Sequence, residues 1–496
     1  MRYTEPRLPT PPLSAGHKRL VLTTCCAAVL MVTMDVTIVN VALPSIRREF
    51  GASVAALQWT IDAYTVVVAS FLMLAGSTGD RAGRRRTFQV GLSLFGLGSL
   101  LCSLAPSIVS LVAFRMLQAL GGAMLNPVAM SILVNVFTDA KERARAIGVW
   151  SAAFGLALAL GPVVGGALTE SLGWRAIFWI NVPIGATAIL ATARFVPESR
   201  AAKVRRFDAA GQALVVVALS SLTFGVIEGP RRGWSSPGIL GLFAVAAAAT
   251  SGLIAVEGRR RDPLIDLRFF RSATFSSATQ LAVLAFSAFS AFLFLNSLYL
   301  QDVRGLAALD AGLCMLPTAI AVAACAPLSG RLVGRGKTRL ALAIAGVAMT
   351  LGALGLTQLA AGTSLPWLLG SYGVFGAGFG FVNVAITNTA VSGMPRAQAG
   401  VAAGVASTSR QVGASLGVAV GGSIVGSAMR ASTRPDFAAA THAVWWLMAL
   451  CGVSIGVIGF ASTSGWALAT ARRVAYLVDD PDAQADDVPH VPSVAG

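Results

Sequence analysis

Gly161-Pro162-Val163-Val164-Gly165-Gly166 decides the fold, because it occurs twice. The second copy is Gly417-Val418-Ala419-Val420-Gly421-Gly422, 256 residues further on. A weaker pair, Gly79-Asp80-Arg81-Ala82-Gly83-Arg84 and Gly330-Arg331-Leu332-Val333-Gly334-Arg335, is offset by 251. Two segments recurring at nearly one offset read as an internal repeat. Chance matching of glycine-rich helices is the alternative.

Composition says what is repeated. Of 496 residues, 55% are hydrophobic and 12% charged, against roughly 45–50% and 25% in a soluble chain. That balance argues against a soluble enzyme and against disorder over most of the chain. The net charge of +16 does not point to nucleic acid. The basic residues come in short runs between apolar stretches, as in loops at a membrane surface. Six cysteines all lie in apolar stretches without metal-ligand spacing, and read as small buried hydrophobes.

A hydropathy walk gives candidate spans at about 20–42, 57–78, 87–105, 110–132, 145–168, 176–195, 209–228, 238–256, 273–299, 311–330, 339–360, 365–388, 400–427 and 441–463. The expectation is an all-α polytopic membrane protein of fourteen transmembrane helices. With the N-terminus inside, about 28 Lys and Arg fall on cytoplasmic segments and about 8 on external loops, the bias expected of inner loops. The clusters include Lys141/Arg143/Arg145, Arg205/Arg206, Arg259/Arg260/Arg261 and Arg335/Lys337/Arg339. Both termini are then cytoplasmic. An offset near 250 equals eight spans, so the repeat implies two six-helix halves with two helices inserted between them. The expected division is about 1–19 as a cytoplasmic segment, 20–195 and 273–465 as the halves, 196–272 as the insertion, and 466–496 as an acidic cytoplasmic tail. Beyond Arg473 that tail, with Asp479, Asp480, Asp482, Asp486 and Asp487, reads as disordered.

Ionisable residues inside spans are the most informative, since each costs at least ~2.5–3.5 kcal/mol to insert. Asp35 lies past the middle of the first span, too deep to reach water by snorkelling, and such a carboxylate suits reversible protonation. Asp62 lies nearer the outer end of the second span. Arg115, Gln118, Gly122 and Asn126 share one helical stripe of span four. Arg115 does not release a proton at working pH; it can bias a carboxylate or hold a water chain. Arg410 forms a similar stripe with Gly413, Gly417 and Gly421 in span thirteen, and could pair with a carboxylate or meet an anionic substrate group. For each of these, a structural tie between helices is the alternative reading.

Two further segments look conformational. In Gly79-Asp80-Arg81-Ala82-Gly83-Arg84-Arg85-Arg86 the basic residues suit an inner loop, but topology does not need Asp80. It suits a latch that caps a facing helix N-terminus in one conformation and lets go in the other. The span-five segment around Gly161, Pro162, Gly165 and Gly166 joins Gly-x-x-x-Gly spacing to a helix-bending proline, which predicts a tight, kinked helix contact.

Together these motifs resemble the major facilitator superfamily, and in particular its fourteen-span drug:proton antiporters, the group of the EmrB and QacA efflux proteins. The Asp80/Gly83/Arg84 loop resembles the superfamily's signature loop. Arg115-Met116-Leu117-Gln118 resembles a span-four motif linked to proton coupling, with Ala119 where glycine is usual. Gly161-Pro162-Val163-Val164-Gly165-Gly166 resembles the antiporter motif of exporters. Asp35 through Pro44, Trp174-Arg175, Asn181-Val182-Pro183-Ile184-Gly185 and Glu228 through Trp234 are similar to that group. The resemblance implies a monomeric proton-coupled exporter of hydrophobic, cationic or amphipathic compounds in a bacterial inner membrane, with no cofactor beyond the proton gradient and no enzyme activity. A dedicated exporter of one antibiotic, a proton-coupled importer and a non-transporting scaffold are the other readings. One departure is clear: spans nine to twelve hold no acidic residue well inside the membrane, Asp302 and Asp310 being at the edges. That argues against strongly dicationic substrates.

Overall fold

The computed structural model describes residues 14–200, 208–260, 266–392, 399–431 and 436–479. Arg205, Arg206, Arg261, His490, residues 1–13 of the amino-terminal segment and the tail aspartates from Asp480 onward lie outside the described residues. The helices are α1 (Ala15–Phe50), α2 (Val54–Ala82), α3 (Arg84–Ser103), α4 (Ile108–Val136), α5 (Ala140–Leu172), α6 (Ala176–Trp179), α7 (Asn181–Phe195), α8 (Ala209–Arg232) and α9 (Pro237–Glu257). They continue as α10 (Ala273–Leu298), α11 (Ala308–Cys314), α12 (Leu316–Gly334), α13 (Thr338–Leu354), α14 (Leu365–Val391), α15 (Ala399–Ala431), α16 (Phe437–Ser462) and α17 (Gly465–Asp479).

Each expected apolar span contains a helix, although the helix expected over 339–360 stops at Leu354, and local chemistry sets the ends. Gly51 closes α1 in the left-handed region at φ 60°, where glycine carries no Cβ penalty. Ser53, Ser107, Asp139 and Asp436 cap the helices that follow them with side-chain oxygens, satisfying amide groups that have no partner inside the helix. Among the described residues, twelve helical segments are long and apolar enough to cross a membrane. The other two expected spans are α3, which opens on Arg84-Arg85-Arg86, and α13, with 17 residues.

The repeat appears as packing. In the first group of helices α1 packs on α5, and both α2 and α3 pack on α4; in the second, α10 packs on α15, and both α12 and α13 pack on α14. The repeated glycines make the equivalent contact. A Cβ on Gly161 would fall 1.8 Å from Thr37 Oγ1 of α1, and one on Gly417 would fall 2.1 Å from the Ser287 carbonyl oxygen of α10. Only glycine lets these backbones come so close.

The two groups are joined at the end carrying the α1–α2 loop. There Arg47 pairs with Asp302 at 3.0 Å, Ser297 Oγ donates to the Asn40 carbonyl at 2.5 Å and Gln301 Nε2 to the Val41 carbonyl at 2.8 Å. Gln58 Nε2 donates to the Val418 and Ala419 carbonyls at 3.0 and 2.9 Å. The inserted helix α8 lies on both α2 and α15, while α9 packs mainly on α8.

One expectation is corrected. The chain beyond the last span does not lose structure at Arg473: α17 runs to Asp479 and packs on α10. Ala467, Ala471 and Val474, spaced by one helical turn, are buried. This apolar stripe is too short for a span, and it settles a surface helix.

Candidate functional site

Asp35 sits in a closed polar cage built from five helices. It is 1% exposed, and Arg115 is 1% exposed. Arg115 Nη1 meets Asp35 Oδ2 at 2.5 Å. Gln118 Nε2 donates to Asp35 Oδ1 at 2.8 Å, and Asn181 Nδ2 donates to the same oxygen at 3.2 Å. Three donors from three side chains form the set that an ionised, acceptor-only carboxylate takes.

The cage is braced from outside. Gln118 also donates to Ser99 Oγ at 2.7 Å and accepts from Arg115 Nη1 at 2.7 Å. Arg115 Nε donates to the Thr60 carbonyl at 3.2 Å, and its guanidinium lies 4.3 Å from the Tyr64 ring centroid. A Cβ on Gly122 would fall 2.5 Å from the Tyr64 hydroxyl, so the glycine of the predicted stripe admits this ring. A buried ion pair is weak evidence of stability, because well-packed apolar residues often do as well or better. Removing one partner, in contrast, costs about 3–5 kcal/mol. The arrangement is therefore sensitive to anything that neutralises Asp35.

The five residues singled out for coupling do not converge. Asp35, Arg115 and Gln118 come together. Asp62 lies on the opposite face of α2 from Thr60 and Tyr64, two residues from each. It is fully buried, with a hydrogen bond from Thr65 Oγ1 to its Oδ1, and its Oδ2 has no protein partner. Ser415 lines a narrow void between α2, α8 and α15, with Thr223 of α8 across it. Arg410 stands apart again, where α15 meets α14 and α10. Its guanidinium donates to Thr387 Oγ1 and to Ser407 Oγ, the latter at 3.3 Å, and lies 5.9 Å from the Phe286 ring.

At the α2–α3 turn, Asp80 Oδ1 pairs with Arg84 Nη2 at 2.8 Å. The expected cap on a facing helix is not made here; α5 is capped by its own Asp139. Gly83 has φ 109°. Glu198, not anticipated from sequence, accepts from the Arg85 amide at 3.2 Å, placing a carboxylate at the positive end of α3. Arg85 reaches the Ala193 carbonyl at 2.6 Å. Gly79 packs against Val128, and Arg81 closes the last turn of α2. In α5, Gly161 and Gly165 face α1, while Gly166 and Pro162 meet α11: a Cβ on Gly166 would fall 2.4 Å from the Ala308 carbonyl oxygen.

Ser99, Asn181, Thr60 and Tyr64 were not assigned to the site from sequence. Asn181 had a signal, lying in the segment Asn181-Val182-Pro183-Ile184-Gly185 that resembles the exporter group, but nothing in that resemblance tied it to Asp35.

Residues 25–418 match the model of the Major Facilitator Superfamily. The chain belongs to that superfamily of membrane transporters. It is 38% identical over 375 residues to the multidrug resistance protein Stp of Mycobacterium tuberculosis, covering 76% of this chain and 70% of that protein. It is 36% identical over 379 residues to the tetracenomycin C resistance and export protein of Streptomyces glaucescens, with 76% and 70% covered. It is 34% identical over 407 residues to the methylenomycin A resistance protein of Streptomyces coelicolor, with 80% and 84% covered. Among solved structures it resembles the human organic anion transporter MFSD10, with a TM-score of 0.60 at 17% identity, covering 90% of this chain and all of that one. A bacterial Spinster homologue in an inward-facing, occupied conformation also gives 0.60 at 17%, with 94% and 98% covered. These two likenesses concern the fold.

Proposed function

We propose that this chain is a proton-coupled exporter that moves hydrophobic, cationic or amphipathic toxic compounds out across a bacterial inner membrane. The buried Asp35–Arg115 pair carries the reading. Protonating Asp35 removes the charge that holds Arg115, so one proton changes the packing of five helices at once. Proton and substrate then favour different conformations, which gives exchange driven by the proton gradient without any cofactor. The names of the relatives, multidrug and antibiotic resistance proteins, support export.

The proposed architecture has fourteen spans and both termini in the cytoplasm, working as a monomer, with two six-helix halves at about 20–195 and 273–465. Helix α3 lies between α4 and α7, and α13 between α14 and α16, positions that suit spans. Seventeen residues of helix cover about 26 Å, near the ~30 Å of a hydrocarbon core. On this orientation the joined end, with Arg47 and Asp302, is the outer one. Two relatives named for resistance to a single antibiotic favour a second reading, a dedicated exporter of one metabolite.

The test is ethidium efflux from energised cells, with and without a protonophore, for the wild type and Asp35→Asn. Efflux that collapses in both supports a proton-driven multidrug exporter. Efflux unchanged in Asp35→Asn contradicts the assignment of Asp35. A wild type that leaves ethidium inside but protects against one chemical class favours the dedicated exporter.

A further inference from the structure

Arg115 and Arg410 are both cations inside the helical bundle, and they are treated differently. Arg115 has a carboxylate. Arg410 takes two hydroxyls, Thr387 and Ser407, and its Nε has no hydrogen-bond partner. No carboxylate pairs with it among the described residues, and residues 311–435 contain no Asp or Glu at all. Asp62, also buried, takes its hydrogen bond from Thr65 instead. A guanidinium in a span without a counter-charge is unfavourable, and five N–H donors are poorly used by two hydroxyls.

The surroundings suit a ligand. Thr387 is exposed and Phe286 and Arg410 are only partly buried, and the guanidinium's bond to Thr387 lies on the exposed side, while its Nε is buried. Beside it stands an aromatic wall from α10 and α14: Phe286 lies edge-on to Phe379 at 5.1 Å, and Phe289 stacks on Phe379 at 3.9 Å. Planar guanidinium groups recognise carboxylates in a bidentate fork, and aromatic rings take flat apolar bodies.

We propose that Arg410 anchors an acidic group of the exported compound, a carboxylate or acidic phenol, with the compound's flat apolar body against Phe286. This rests on the export reading and narrows its amphipathic class to aromatic acids. The ligand supplies the anion that the protein lacks. Release of that acid would leave Arg410 on its two hydroxyls, as in this structure.

The test is equilibrium binding to the purified full chain in lipid nanodiscs. The probes are 2-anthracenecarboxylate, its methyl ester and 2-(aminomethyl)anthracene. The acid is expected to bind at least ~10-fold tighter than the ester, a difference of about 1.4 kcal/mol. Arg410→Gln should abolish the preference, and Arg410→Lys should keep part of it. Thr387→Val, which retains the cation, should lower it only ~2–5-fold, so the proposal remains testable if Arg410→Gln fails to fold. Equal binding of acid and ester, no saturable binding of the acid, or a preference that survives in folded Arg410→Gln overturns the proposal. A purely structural tie would leave the acid–ester difference absent in the wild type. Because this readout needs no proton gradient, it is separate from the efflux test: acid preference without proton-driven efflux removes the coupling account and leaves the site.

Discussion

Gly166 of α5 stands directly against the Ala308 carbonyl of α11, so close that a single methyl would fall 2.4 Å from that oxygen. The same helix presents Gly161 and Gly165 to α1, and a Cβ on Gly312 of α11 would fall 2.3 Å from the Pro162 carbonyl oxygen. The antiporter-like segment is thus a seam between the two groups of helices at their joined end. Overpacking such a contact costs about 1–3 kcal/mol. Gly166→Val is expected to leave a folded, monodisperse protein while slowing efflux about 5–100-fold, because the joined end no longer closes. Efflux at the wild-type rate would show that the seam does not gate transport.

Arg115→Gln leaves Asp35 buried without its counter-charge. Thermal unfolding in detergent should report a loss of about 3–5 kcal/mol. The double variant Asp35→Asn with Arg115→Gln should recover most of that loss and still fail to couple. Recovery of coupled efflux in the double variant would mean the pair is a structural tie.

Asn181→Ala removes one donor to Asp35 and creates a small hole. The expected loss is about 1–3 kcal/mol of stability, non-additive with Gln118→Ala because both contact Asp35 Oδ1. Additive effects would indicate that the two amides serve separate sites.

Asp80 and Arg84 form a partly exposed pair across the α2–α3 turn, worth about 0–1 kcal/mol. Asp80→Asn should therefore hardly change the melting temperature. If Asp80 is a latch that finds a different partner in the other conformation, efflux should nonetheless fall at least ~10-fold. A loss of efflux matched by an equal loss of folded protein would reduce Asp80 to a folding residue.

The membrane class and the helical stretches were legible because burial in lipid demands long apolar runs, and the repeat because glycines must recur wherever two backbones touch. Asp35, Arg115 and Gln118 stood out because ionisable and amide groups are costly in a span. Ser99 did not, since a serine hydroxyl in an apolar helix can return its hydrogen bond to its own backbone, and Tyr64 did not, since an aromatic ring in a span ordinarily packs as core. Asp62 and Arg410 were visible as anomalies, but sequence gives no rotation between helices, so their separation from Asp35 was not legible. Helix α17 was hidden by its length, and Glu198 because one acidic residue in a basic loop is ordinary.

The most direct test of the central claim is substrate-induced proton movement in energised inverted membrane vesicles, followed with a ΔpH-sensitive dye. The added compound is the one against which the wild type protects best. Wild-type vesicles should lose part of their pH gradient on addition, and Asp35→Asn vesicles, with the protein present at equal level, should not respond. An equal response from Asp35→Asn would contradict the account, because the proton would then travel by a route that avoids the Asp35–Arg115 pair.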